Sequence, residues 1–264
     1  MRNHTITTFI LLGLTDDPQM KVLAFIFLFF NLHVECSWES DYYLPHPHRW
    51  PSQDSHVLVS PKFLFLGNLI HSCLYSQISV NITTADKVII YTACAVQVFF
   101  TYLFGITEYF LLATMSFDRY VAICKPLHYV TIMNNRVCHR LIISCWMAGL
   151  LIIIPPLSLG LNLEFCDSNV IDHFFCDAAP LLKISCSDTW FIERMILVCA
   201  VLTFIMTLVC VVLSYMYIIM TILRLSSSQQ RKKAFSTCSS HIVVVSITYG
   251  SCIFIYIKPS VQTK

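Results

Sequence analysis

Four apolar runs, Val88–Thr114, Leu141–Leu163, Met195–Leu223 and Ala234–Ile257, constrain this chain more than any other feature. Each is long enough to cross a bilayer as a helix, which takes roughly 20 residues. A backbone in lipid must satisfy its own hydrogen bonds, so such runs fold as helices. Glu108 is the one acidic residue inside them. Charged residues make up 12% of the chain, about half the usual share of ~25% in soluble domains. The fold class that follows is all-α: a polytopic membrane helical bundle. Pro155-Pro156 should kink the second run, a break that membrane helices tolerate.

The connectors set the orientation. Arg119, Lys125, Arg136 and Arg140 follow the first run, and Arg224, Arg231, Lys232 and Lys233 follow the third. The loop between the second and third, 164–190, carries Glu164, Asp167, Asp172, Asp177 and Asp188 against Lys183. Positive loops stay in the cytoplasm, so the acidic loop lies outside and Arg119 inside. Cys94 then sits at the outer end of its helix. It shares an oxidising compartment with Cys166, Cys176 and Cys186 of the acidic loop. Four cysteines allow three pairings, and spacing alone leaves the choice open. Structural zinc is disfavoured, because the close Cys-x-x-Cys spacing is absent. His241 beside Cys238 is read as structural rather than as a metal site.

Net charge is +2 with no recurring basic face, which gives no sign of a nucleic-acid partner. No nucleophile–base or metal constellation stands out in the loops, so neither an enzyme nor a cofactor is expected. A transporter or channel predicts paired ionisable groups or broken helices in repeated positions, and no internal repeat is visible.

The first 87 residues differ from the rest. Residues 1–19 read as an extracellular N-terminus, with Asn3 in an Asn-x-Thr glycosylation sequon. Residues 20–30 are apolar but too short to span, so they read as a partial first helix. Residues 31–87 read as an aberrant segment: three acids lie in 31–41, three prolines in 45–51, and the apolar run Phe63–Leu69 is too short. A shifted reading frame is one explanation. One base on, Trp38-Glu39 permits Gly-Asn and Tyr75-Ser-Gln-Ile78 permits Ile-Pro-Lys.

The chain is organised around Met115-Ser-Phe-Asp-Arg-Tyr-Val-Ala-Ile-Cys124, where the first run meets charge before Lys125-Pro126 ends the helix. This stretch resembles the inner end of the third helix of vertebrate olfactory receptors, which are rhodopsin-like G-protein-coupled receptors. Lys233-Ala-Phe-Ser-Thr-Cys-Ser-Ser-His241 resembles the family's entry to helix six, Ser214-Tyr215 its fifth-helix motif, and His173-Phe-Phe-Cys-Asp177 its second outer loop. The likeness covers about residues 1–30 and 81–264. Phe117 stands where the family has tyrosine.

The resemblance implies an incomplete seven-transmembrane receptor fold, forming a single transmembrane domain. Residues 88–257 supply helices three to six, and 258–264 form a truncated end without helix seven. It implies disulfides Cys94–Cys176 and Cys166–Cys186. It also implies that Asp118, Arg119 and Tyr120 couple to a heterotrimeric G protein, Asp118 holding Arg119 at rest.

A ligand region is expected partway down the first run. Thr101, Gly105 and Glu108 share one helical face, and Tyr102, Ile106 and Tyr109 the adjacent stripe. Thr101 lies about 10 Å below Cys94 along the axis, a depth suited to a small apolar molecule. By resemblance the ligand is an odorant, and Tyr249 of helix six is a further lining residue. A carboxylate in lipid is costly, so Glu108 is expected to face the bundle. The function expected is an odorant receptor in the plasma membrane. The alternative is a non-signalling remnant, retained in the endoplasmic reticulum.

Overall fold

The computed structural model describes residues 8–12, 88–165, 169–171, 173 and 175–257. Asn3, Cys166, the partial first helix at 20–30, the segment 31–87 and the end 258–264 lie outside them.

Chain order gives β1 (Thr8–Leu11), β2 (Val88–Ile90), α1 (Tyr91–Cys124), a 3-10 turn (Pro126–His128) and α2 (Tyr129–Ile132). There follow α3 (Asn135–Gly160), β3 (Val170–Ile171), α4 (Ala178–Lys183), α5 (Trp190–Arg224) and α6 (Ser228–Ile257). By length and composition α1, α3 and α5 can each cross a membrane. α3 and α5 begin on polar signals. The Asn134 side chain accepts the Val137 N–H at 3.0 Å, capping the start of α3. Asp188 accepts the Trp190 N–H at 3.0 Å, and Glu193 sits in the first turn of α5 with Arg224 in its last. That charge order suits the helix dipole.

Two expectations change. Val88 does not start the first span, because Val88–Ile90 is a strand and the helix begins at Tyr91. Three consecutive β-branched residues favour extended backbone, and here they find a partner. β1 lies in the middle of a three-stranded sheet of order β2-β1-β3, antiparallel to β2 and parallel to β3. The second change concerns Ala234–Ile257. Its helix begins earlier, at Ser228, and runs 30 residues to Ile257, the part from His241 on being the more apolar. Ser236, Thr237, Ser239 and Ser240 dilute the half nearer Lys232.

The pair Pro155-Pro156 stays inside α3. Prolines strip the helix of two N–H donors. The Ser158 hydroxyl donates to the Pro155 carbonyl at 2.8 Å, giving one nearby acceptor a partner.

The described residues form two compact units, the first built from the chain up to Thr107 with Ile142–Ala200. Its core gathers Phe9, Leu11, Ile89, Cys94, Ile171 and Cys176 around the small sheet. Phe9 is fully buried, edge-on to Phe165 at 5.2 Å and tilted against Tyr91 at 6.1 Å. Lower in this unit α1 and α3 approach closely. A Cβ on Gly149 would stand 2.7 Å from Thr107 Oγ1 and 3.3 Å from Leu103 Cδ1. Small residues permit such approach between membrane helices, where packing rather than water drives association.

The second unit comprises Glu108–Leu141 with the chain from Val201 on. Leu112, Val211 and Tyr249 form its core, with Tyr109, Phe204 and Tyr215 packed around them.

Candidate functional site

At the outer end of the first unit the Cys94–Cys176 disulfide ties the start of α1 to the loop before α4. It closes a separation of 82 residues, for which chain entropy gives about 4 kcal/mol of stabilisation. Gln97, one turn into α1 and 1% exposed, accepts the Cys176 N–H on its Oε1 at 3.1 Å. The loop is thereby fixed to the helix by a covalent bond and a buried hydrogen bond. Cys186 is also disulfide-bonded; its expected partner, Cys166, lies outside the described residues.

Beside this tie is a cavity of ≈ 150 Å³. Cys94, Val98, Tyr102 and Ile106 form its α1 wall, a stripe at four-residue spacing. Ile153, Pro156 and Leu157 of α3 form a second wall, and Ile192 and Ile196 of α5 a third. Leu181 and Leu182 of α4 and Phe165 complete the lining toward the loop. Almost the whole surface is hydrocarbon. The Tyr91 hydroxyl donates to the Leu161 carbonyl at 3.3 Å, and the Tyr102 hydroxyl to Asp177 Oδ1 at 2.8 Å.

The expected ligand residues divide accordingly. Tyr102 and Ile106 line the cavity, whereas Thr101 and Gly105, on the neighbouring face of α1, do not. Among the described residues nothing lies within 4 Å of a Cβ built on Gly105, so tight packing does not require that glycine. Glu108 is exposed rather than turned into a packed interior. Tyr249 belongs to the second unit. It is 4% exposed and stands edge-on to Tyr109 at 5.3 Å, with Phe204 at 5.4 Å.

The resemblance pointed to helix five, here α5, without naming its residues, and the α3 and α4 walls were not anticipated. Their aliphatic residues look the same in sequence whether they face a cavity or lipid. The doubled proline near the outer end of α3 was the available signal.

The second unit holds Asp118, Arg119 and Tyr120. Asp118 and Arg119 are 7% and 8% exposed. Arg119 Nη2 lies 3.7 Å from Asp118 Oδ2. Neighbouring residues on a helix point apart, which keeps this pair long. Asp118 Oδ1 accepts the Tyr129 hydroxyl at 2.8 Å. α2 therefore supplies the tighter bond to the carboxylate, a partner not anticipated. Burial, and then the Asp118 charge, raise the Tyr129 hydroxyl above its ordinary pKa of 10.0. Tyr120 packs on Tyr217 with ring centres 5.8 Å apart. Nearby the Tyr215 hydroxyl meets His241 Nδ1 at 2.6 Å with the rings stacked. His241, 2% exposed, thus joins α6 to α5.

The sequence is similar to known proteins along its length. A family model described as olfactory receptor matches residues 54–262. The match takes in 54–80, beyond the stretches over which the motifs were read. Human olfactory receptor 6C2 and human olfactory receptor 6C68 are each 59% identical over 271 aligned residues, covering 100% of this chain and 85% of the relative. Human olfactory receptor 6C76 is 54% identical over 268 residues, 99% of this chain and 84% of the relative. With that identity over an alignment that covers the whole chain, the chain belongs to the olfactory receptor family.

Proposed function

We propose that this multi-pass membrane receptor binds a small apolar odorant in the cavity beside the Cys94–Cys176 bond and signals through a heterotrimeric G protein. The observation that carries the reading is the cavity itself: ≈ 150 Å³, walled by three long helices and a disulfide-anchored loop, and almost wholly apolar. Pockets for small molecules combine such a lining with a few placed polar groups. Tyr102 and Ile106 are the contact residues assigned to α1. Thr101, Gly105, Glu108 and Tyr249 are not assigned to this cavity.

At the inner end, Asp118, Arg119 and Tyr120 are the coupling residues. Asp118 holds Arg119 on one oxygen and Tyr129 on the other. A ligand shifts such a latch only by as much as it prefers one conformation over the other. The basic stretch Arg231 and Lys232, both exposed, would steer an acidic partner.

The test expresses the tagged chain in cells, labels the surface, and measures cAMP against an odorant panel. Surface labelling with a saturable response is expected, and Ile106→Trp, which fills the cavity, should abolish the response at unchanged surface level. Surface-labelled cells silent to the whole panel overturn the reading. Absence from the surface favours the retained, non-signalling remnant.

A further inference from the structure

The apolar run of α5 ends at Leu223-Arg224, and a groove opens there between α5 and α6. Its described lining is Ile222 of α5 with Arg231, Lys232, Phe235, Ser236 and Ser239 of α6, all within the second unit. Arg231, Lys232 and Phe235 are exposed. Arg231 Nε donates to the Leu225 carbonyl at 2.9 Å. That bond ties the guanidinium to the end of α5 and uses one of its five donors. Ser236 adds a hydroxyl, and the Ser239 hydroxyl donates to the Ser236 carbonyl at 3.0 Å.

The charge around the groove has one sign. From Met195 to Ile257 the sequence holds Arg224, Arg231, Lys232 and Lys233 and no acid. In the other cytoplasmic connector, 115–140, the one acid is Asp118, which is buried and engaged by Arg119 and Tyr129. A basic cluster just inside a membrane helix attracts anionic headgroups, with about a 5-fold gain per cation. Arginine and lysine side by side suit a phosphomonoester, which carries close to two negative charges at neutral pH. Hydroxyls can donate to its remaining oxygens.

Depth separates a lipid from a soluble anion. The groove lies where the last apolar turn of α5 meets cytoplasmic charge, which is the level of the inner-leaflet headgroups. Ile222 and Phe235 give it an apolar side. Beside it α5 exposes Ile219, Met220 and Leu223, a surface for acyl chains. A soluble phosphate uses only the charged side of this arrangement, whereas a phospholipid uses both.

We propose that this groove binds the headgroup of a phosphomonoester-bearing phospholipid of the inner leaflet, with Arg231 and Lys232 on the phosphate. The headgroup bridges the cytoplasmic ends of α5 and α6. Steering of an acidic partner by the same cations acts over about a Debye length, ~8 Å, and does not require this contact. The lipid site shares no residue with the odorant cavity, and its test reads binding rather than signalling.

The test purifies the full chain in neutral detergent and counts retained lipids by native mass spectrometry. The probes are phosphatidylinositol monophosphate, phosphatidylserine and phosphatidylcholine, with inorganic phosphate as the soluble competitor. Phosphatidylinositol monophosphate should bind about 5-fold or more tighter than phosphatidylserine, which lacks the second phosphate. Phosphatidylcholine and inorganic phosphate should not displace it. Arg231→Gln with Lys232→Gln should weaken it about 30-fold, two cations' worth. Adding Ser226→Lys and Gln230→Lys to that variant restores the net charge at exposed positions outside the groove lining. Binding should not return with the charge. Lys232→Arg should bind as wild type does.

Equal retention of the lipid by wild type and Arg231→Gln/Lys232→Gln overturns the proposal. So does recovery of binding in the charge-relocated chain, the mark of bulk attraction without a groove. Displacement by inorganic phosphate overturns it in favour of a soluble anion. A double variant that keeps its lipid but loses purified heterotrimeric G protein assigns the groove to a protein partner instead. The order of the three lipids on wild type needs no variant, so a wild type that does not favour the phosphomonoester sinks the idea by itself. Each of these outcomes leaves the odorant-binding reading standing.

Discussion

The Tyr129 hydroxyl, just past the break at Pro126, donates to Asp118 Oδ1 at 2.8 Å. Both residues are buried, at 3% and 7% exposure. A hydrogen bond to a charged group contributes about 1.5–3 kcal/mol net. Tyr129→Phe should therefore destabilise the receptor by about that amount, read as a lower melting temperature in detergent. Combined with Asp118→Ala, the losses should be less than additive, because one interaction is removed twice. Full additivity would show that the bond contributes nothing.

Tyr129 also gives a pH dependence with a definite sign. Its pKa in the folded chain is raised above 10.0 by burial and by Asp118. The folded state therefore keeps a proton that the unfolded chain releases. Its contribution is fully present below the ordinary tyrosine range and is lost as pH rises above it. The stability gap between wild type and Tyr129→Phe should stay flat from about pH 6 to 9 and shrink above about pH 10. A gap that widens at alkaline pH would contradict the raised value.

Gly149 faces Thr107 Oγ1 across α1 and α3 with no room for a methyl group. Overpacking a fitted contact costs about 1–3 kcal/mol. Gly149→Ala should lower melting temperature and surface level, and Thr107→Ala in the same chain should restore part of both. Gly105→Ala, with nothing within 4 Å among the described residues, should be close to neutral in the same assays. Equal effects at the two glycines would remove the packing explanation.

Phe9 anchors the small sheet through Tyr91 and Phe165, which both line the cavity. Truncating a buried phenylalanine to alanine costs about 3–5 kcal/mol. Phe9→Ala should reduce the surface level strongly, and Phe9→Leu should recover most of it. Any receptor that still reaches the surface as Phe9→Ala should show weakened, less size-selective odorant responses in concentration–response curves.

The spans were legible because lipid leaves a backbone little choice. The four runs became α1, α3, α5 and α6, with ends shifted by several residues wherever polar turns extend past the apolar stretch. β2 was not legible from apolarity, since Val88–Ile90 looks like the first turn of a membrane helix. Its partner, Thr8–Leu11, lies about 80 residues away in the sequence. The site was half legible. Periodicity put Tyr102 and Ile106 on one stripe of α1, and the cavity lies against that stripe. It could not tell that stripe from the adjacent one with Thr101 and Gly105, because the choice depends on where α3 and α5 pack. Tyr129 and Asp177 were out of reach for another reason. Each acts by taking or giving one hydrogen bond to a residue on a different element, and no local pattern records such a pairing.

The central place of β1 imposes an order on assembly. Thr8–Leu11 is made early, yet its parallel neighbour Val170–Ile171 follows about 160 residues later, roughly 10–30 s at ordinary rates of synthesis. β2 covers one edge of the strand earlier, but until then the other edge stays open, and such edges invite wrong partners. The last strand to be made is therefore the one that closes the sheet, and the outer end of the first unit is completed only after α1 and α3 have been made.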